Sequence, residues 1–274
     1  MHANSSRRKR LLACGILIAS APAGFLFAAS RQQKTARSHV KPSAPITPPM
    51  PAIIHAPFHA GETLNYRVLF SKYAVNAASL VTSVVDEGNY FGGPAWHFRA
   101  IAHTQDTTRL LFPLDDQFDS YASAENLASV QFEMYLQEQG KSQTWRYRMS
   151  SHAEPAPPDA TALRVLPGTR DAIGLLYALR AVDWTHTAEF HAPVFDGRRL
   201  YDVTAILDPA LVSVTVPAGT FPVWHIMVHL FDHGKELADT RLTLWLGRDA
   251  ASTPLLIQAD VPFGTLNIEL VKLP

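Results

Sequence analysis

The sequence predicts a mainly β protein: a large antiparallel sheet, curled or rolled into an incomplete barrel, with one short helix. Three observations carry this. Apolar and polar residues alternate with a period of two along much of the chain beyond Phe58. Glycine-bearing turn signals recur between the alternating runs. Only one stretch has helical spacing. Period-two alternation buries one face of a strand and wets the other, the habit of antiparallel sheets.

In chain order, the first element is not part of that sheet. Arg7, Arg8, Lys9 and Arg10 lead into an apolar run from Leu11 to Ala29, closed by the small residues Ala28-Ala29-Ser30. Basic, apolar, then small is the layout of an export signal, so residues 1–30 are expected to be a signal peptide or a retained N-terminal anchor. The run is near the length that spans a bilayer, but Gly15, Pro22 and Gly24 weaken a permanent helix, which favours cleavage. Ser6-Arg7-Arg8 is similar to a twin-arginine signal, yet Arg10 stands where an apolar residue is usual; a general secretory signal fits better. Cys14, the only cysteine, opens the apolar run instead of following it, which argues against lipidation. Residues 31–57 carry Pro42, Pro45, Pro48, Pro49 and Pro51 with few large apolar side chains. Such a segment buries too little to fold and is expected to be a disordered tether.

Residues 58–274 are then expected to form a single β-rich domain. Leu64, Tyr66, Val68 and Phe70 alternate with Asn65 and Arg67; Val130, Phe132, Met134 and Leu136 with Gln131, Glu133 and Gln137; Gln143, Trp145, Tyr147 and Met149 with Thr144, Arg146 and Arg148. Reversals are expected at Glu87-Gly88-Asn89, Gln139-Gly140-Lys141, Asp196-Gly197-Arg198, Pro217-Ala218-Gly219 and His233-Gly234-Lys235, where glycine supplies the positive φ of tight hairpins. About a dozen short strands in a meander follow from this spacing. His152 to Asp159, with three prolines, is expected to be a loop between two groups of strands. The helix is expected from about Asp171 to Arg180, capped by Thr169 and amphipathic through Ile173, Leu175, Leu176, Tyr177 and Leu179.

Charge narrows the function. Eight of the 24 Lys and Arg precede Pro42, while all 24 Asp and Glu lie at Glu62 or later, which leaves sixteen basic against twenty-four acidic residues from Pro42 onward, a balance of −8. An acidic domain lacks the basic face that phosphate contacts need, so nucleic acid is not an expected partner. Without cysteine it makes no disulfides, and at this size it needs none.

No catalytic, cofactor or metal residues can be assigned. His225, His229 and His233 are spaced by four, but their surroundings are those of a strand, where residues four apart stand about 13 Å apart, too far to share an ion. Asp115, Asp116 and Asp119 lack the glycine and glutamate of a calcium loop and are expected in a solvated turn. There is no Gly-x-Ser-x-Gly elbow and no phosphate-cradling glycine loop. Paired carboxylates for glycoside hydrolysis cannot be recognised from spacing. Trp96, Trp145, Trp224 and Met227 remain as candidates to line an apolar ligand site if the sheet leaves a hollow, with Met134 and Met149 adding adaptable surface.

A family resemblance extends along the same residues. Phe58-His59-Ala60-Gly61-Glu62-Thr63-Leu64-Asn65-Tyr66, Arg170-Asp171-Ala172-Ile173-Gly174-Leu175-Leu176-Tyr177-Ala178-Leu179-Arg180, Val216-Pro217-Ala218-Gly219-Thr220-Phe221 and Trp245-Leu246-Gly247-Arg248-Asp249 follow one another. Thr253-Pro254-Leu255-Leu256-Ile257, Val261-Pro262-Phe263-Gly264-Thr265-Leu266 and Ile268-Glu269-Leu270 complete the order. Together they resemble the bacterial domain-of-unknown-function family 3108. The helix departs from that pattern at Gly174, near which the pattern carries a serine. The resemblance implies a secreted β-rich envelope domain with no established activity. The overall plan is also similar to the periplasmic lipoprotein carriers, half-barrels with a helical lid, an analogy of fold alone. The first expectation is therefore a non-enzymatic envelope domain that binds a lipid or other apolar ligand. The alternatives are a protein-interaction or assembly module of the envelope, and an envelope hydrolase.

Overall fold

The computed structural model describes residues 56–71, 75–152, 155–237, 240–261 and 264–273. The leader and all of the spacer up to His55 lie outside them.

The alternating runs become one sheet. Its first half comprises β1 (Thr63–Phe70), β2 (Val75–Tyr90), β3 (Gly93–Thr104), β4 (Asp115–Ser123), β5 (Ser129–Glu138), β6 (Lys141–Ser150) and β7 (Thr161–Arg164). After β8 (Arg170–Asp171) and the helix come β9 (Glu189–Phe195), β10 (Leu200–Val216), β11 (Gly219–Asp232), β12 (Lys235–Glu236), β13 (Arg241–Gly247), β14 (Pro254–Val261) and β15 (Gly264–Lys272). The strand order is β7-β6-β5-β4-β3-β2-β1-β15-β14-β13-β11-β10-β9-β8, with β12 added on β11. First and last strands therefore meet at the centre, through the antiparallel β1–β15 pair.

Expectation and structure differ at several points. The ladder is antiparallel except at its ends, where β6–β7 and β8–β9 are parallel. In the first of these, β7 starts beside Tyr147 and runs parallel to the last four residues of β6, so the chain has doubled back between the two strands. The reversal expected at Gly88 falls instead at Phe91-Gly92, with φ of 58° and 90°, and Gly88 lies inside β2. There the absent side chain makes room for Tyr90: a Cβ on Gly88 would stand 3.1 Å from its ring. A second helix, α1 (Asp106–Leu111), links β3 to β4 and buries none of its residues. Its six residues are too few for an apolar stripe to have signalled it.

The expected helix is present as α2 (Ala172–Arg180), but it is not amphipathic. Every residue except Leu176 is buried, because the sheet wraps around it and the helix touches β3, β4, β8 and β9. A buried helix must satisfy its ends internally. Asp171, not Thr169, caps it: Oδ1 accepts from the Ile173 and Gly174 amides at 2.9 and 2.8 Å. Oδ2 accepts from the Ser120 and Ser129 hydroxyls, both at 2.6 Å. The Thr169 hydroxyl donates to the Leu166 carbonyl instead. At the other end Arg180 forms a two-pronged buried ion pair with Glu62, 2.6 and 2.9 Å, and also donates to the Ala251 carbonyl. Tyr177 stacks on Phe98 at 3.8 Å. The resembled segments around Glu62 and from Arg170 to Arg180 are thus the braces of the interior.

The sheet stays open but its ends meet. Tyr147 on β6 packs edge-on against Phe195 on β9 at 4.9 Å. Gly197, in the turn after β9, lies against Met134 of β5, and the Ser129 amide donates to the Thr169 carbonyl at 2.9 Å. One backbone hydrogen bond, the bonds joining Ser129 to Asp171 and Arg170 to the Asn126 carbonyl, and a side-chain seam stand where a barrel would have a ladder.

Candidate functional site

The side chains of β3 to β5 divide by parity, and on β6 the parity is reversed. Even-numbered residues such as Phe98, Phe118 and Phe132 face α2 and the core. The odd-numbered residues of those three strands, with the even-numbered residues of β6, form the opposite, outer face, and register aligns them in three rows across the four strands: His97, Tyr121, Gln131, Arg148; Arg99, Asp119, Glu133, Arg146; Ile101, Gln117, Tyr135, Thr144. The sequence pattern marks this face as wet. Yet His97, Asp119, Gln131 and Glu133 are buried on it, covered by their own long neighbours.

The middle row sets two carboxylates side by side between two arginines. Asp119 accepts from His97 Nε2 at 2.6 Å, Arg99 Nε at 2.8 Å and Gln117 Nε2 at 2.6 Å. Burial pushes this carboxyl up, but the bonds from His97, Gln117 and Arg99 outweigh it and hold Asp119 below its ordinary value. Glu133 accepts from Gln131 and from the Tyr135 hydroxyl, with Arg146 Nε at 3.6 Å. Burial, then the bond to Glu133, raises Tyr135. Tyr121 rises through burial and the nearby Glu133 and Asp119.

Aromatic rings cover one end of the rows. His97 stacks on Tyr121 at 4.4 Å, Tyr90 and Phe91 meet Tyr121 at 5.0 and 5.1 Å, and the Arg148 guanidinium lies 3.6 Å over the Phe91 ring. Phe91 is nevertheless 45% exposed. Chemically the layer is self-satisfied: Asp119 and Glu133 each hold several donors, and Arg99 and Arg146 face acids. It offers a rigid surface of tyrosine, phenylalanine and arginine. It also corrects the solvated turn expected at Asp115, Asp116 and Asp119, which lie on β4 with Asp116 and Asp119 both 2% exposed.

The four candidate lining residues do not converge. Trp96 is core, edge-on to Phe58 at 5.2 Å. Trp145 is 46% exposed, beside Met134 in register on β5. Trp224 and Met227 lie on β11 in the other half of the sheet and have opposite parity; Arg248 lies 3.8 Å over the Trp224 ring, and Met227 is 37% exposed. Of the other methionines named with them, Met134 and Met149 are core. Between α2 and β9–β11 a void of about 20 Å³ is bounded by Leu175, Val194, Tyr201, Val203, Val228 and Leu230. That is room for about one water.

His225 and His229 lie on β11 and His233 in the following turn, each with its own carboxylate: Asp208 at 3.0 Å, Glu236 at 2.7 Å and Asp232 at 2.5 Å. Among the described residues, no group of three histidine, cysteine or acidic side chains is placed to hold a metal. No helix among them is long and apolar enough to cross a membrane.

With the geometry in place, the relatives can be stated. The family described as "Protein of unknown function (DUF3108)" matches residues 65–271. The chain belongs to this DUF3108 family. No curated protein matches it. Among solved structures, this DUF3108 member is similar to a β-barrel-like protein of domain of unknown function DUF1849 from Brucella abortus, 13% identical, covering 77% of this chain and 95% of that one, with a TM-score of 0.48. A candidate lipoprotein from Parabacteroides distasonis is 8% identical over 80% of this chain and 98% of its own, with a TM-score of 0.33. A candidate exported protein of YmcC-like fold from Bacteroides fragilis is 7% identical over 78% and 95%, with a TM-score of 0.30.

Nothing in the sequence pattern marked the outer layer, because alternation reports only that a side chain is polar. The one available signal was Arg146 and Arg148 at i, i+2 on a strand beside another bearing Gln131 and Glu133 at the same spacing.

Proposed function

We propose that this chain is a non-enzymatic cell-envelope module that works by presenting its outer face to a protein partner. The observation that carries this is the filled interior. Residues that a carrier would use to line a cavity are spent on enclosing α2, and the void beside the helix is about 20 Å³, against the ~300 Å³ or more of a typical ligand pocket. An acyl chain inside the sheet therefore has no comparable support. The outer layer has the composition of recognition surfaces, where tyrosine, phenylalanine and arginine are enriched and pre-ordered side chains lose little entropy on binding. The envelope location rests on the leader and proline-rich spacer, which would hold such a module off the membrane.

The test places a photoreactive phenylalanine analogue at Phe91 and, as a control, at Leu200 in the other half of the sheet, in the full chain expressed in its own envelope. A discrete protein adduct from position 91 and none from 200 is expected. Adducts from neither position, with stoichiometric lipid recovered on solvent extraction of the purified chain, would overturn the reading.

A further inference from the structure

β10 outlasts its neighbour. β9 pairs with Leu200 to Ile206, whereas β10 continues to Val216 with β11 on one side. After the irregularity between Asp208 and Val212, the regular stretch runs opposite Val223 to Gly219. Its hydrogen-bond phase can be derived. Ser213 stands opposite Pro222, whose carbonyl points the other way and accepts from the Arg248 amide at 3.1 Å. Ser213 and Pro222 are thus a non-hydrogen-bonded pair, and so, two residues on, are Thr215 and Thr220. The N–H and C=O of Ser213 and Thr215 point away from β11, and among the described residues no backbone group meets them.

We infer that this edge pairs antiparallel with the same edge of a second copy, about a two-fold axis at Val214. In that register the Ser213 N–H donates to the carbonyl of the partner's Thr215 and its C=O accepts from that residue's amide. Symmetry doubles the set to four hydrogen bonds. Val214 faces the partner's Val214. Leu211, 83% exposed and otherwise without purpose, comes opposite the partner's Pro217. Like copies suit this edge for an electrostatic reason. The chain from Pro42 onward carries a balance of −8, so copies repel over most of their surface, but Pro209 to Trp224 contains no charged residue. Pro209 and Pro217 bracket the edge, which limits the added strand to a few residues and disfavours open-ended stacking. The inference goes beyond the outer-face reading, since a monomer could equally use that face.

The experiment is sedimentation equilibrium of the full chain in a non-ionic detergent over a concentration series. A monomer–dimer equilibrium is expected. Ser213→Pro deletes only an edge-facing donor and Leu211→Glu adds a repelling charge, so each should weaken the dimer at least about tenfold while the melting temperature holds. In a Cys14→Ser background, Val214→Cys should cross-link on mild oxidation, because facing residues of a non-hydrogen-bonded pair stand within disulfide reach. Thr220→Cys, on the neighbouring strand, should not. A chain that stays monomeric at every concentration, or dimers insensitive to both Ser213→Pro and Leu211→Glu, would overturn the inference. So would a monomer whose Ser213 and Thr215 amides exchange slowly, which would assign the edge to another strand.

Discussion

Two buried charges behave in opposite ways. Asp116 lies on β4 near the sheet end and accepts a bond from the Gln137 amide at 2.9 Å, and among the described residues it forms no ion pair with Lys or Arg. Desolvation pushes it up to about 6. A carboxyl raised above its unfolded value of about 3.9 binds more protons in the fold than in the unfolded chain, so stability falls as pH rises from about 4 to 6. Asp116→Asn keeps the acceptor and removes the charge. It should stabilise the protein by about 1–2 kcal/mol at pH 7, after allowance for screening, and by nothing below pH 4. Urea melts at pH 3.5 and pH 7 check this, and an equal effect at both would refute the assignment. Glu62 and Arg180 instead neutralise one another. Arg180→Met strands a buried carboxylate and should cost about 3–5 kcal/mol, whereas Glu62→Gln with Arg180→Met should recover much of it. A double-mutant cycle with no coupling would remove the pair from the list of braces.

At the scale of elements, legibility follows how local the cause is. Hairpins at Gln139-Gly140 and His233-Gly234 were readable, because both turn positions take positive φ and the residues say so. The Phe91-Gly92 hairpin was not: phenylalanine is no turn residue, and it is held there by Arg148, fifty-odd positions on. The extent of α2 was readable from Leu175, Leu179 and Asp171. That its charged ends, Asp171 and Arg180, would also be buried was not, since Ser120, Ser129 and Glu62 come from distant parts of the chain. Likewise Gln131 and Glu133 look solvent-facing until Arg146, Arg148 and Tyr135 are folded over them. Packing around α2 makes a further prediction. A Cβ on Gly174 would stand 2.8 Å from Ser129 Oγ, which is tied to the Asp171 cap. Gly174→Ala should therefore lower stability by about 1–3 kcal/mol although alanine is the better helix former by about 1 kcal/mol. A raised urea midpoint would show that Ser129 can move aside.

The whole molecule has one seam. Everywhere else neighbouring strands share a ladder, which opens cooperatively with the core. Between β5–β6 and β8–β9 there are instead the Tyr147–Phe195 contact, the Gly197 turn against Met134, the Ser129–Thr169 backbone bond and the bonds between Ser129 and Asp171. The terminal strands at the seam are also short, β7 with four residues and β8 with two, so they resist separation little. Opening should begin there and leave the central β1–β15 pair closed, because that pair joins the two ends of the folded chain and has strands on both sides. Tyr147→Ala removes the aromatic contact across the seam without touching a ladder. It should speed amide exchange in β6, β7 and β9 by roughly tenfold, equivalent to about 1.4 kcal/mol of local stability, while β1, β14 and β15 exchange as before. Hydrogen exchange read by mass spectrometry distinguishes the cases. Uniform acceleration in all strands would mean that the sheet opens as one unit and that the seam is as strong as a ladder.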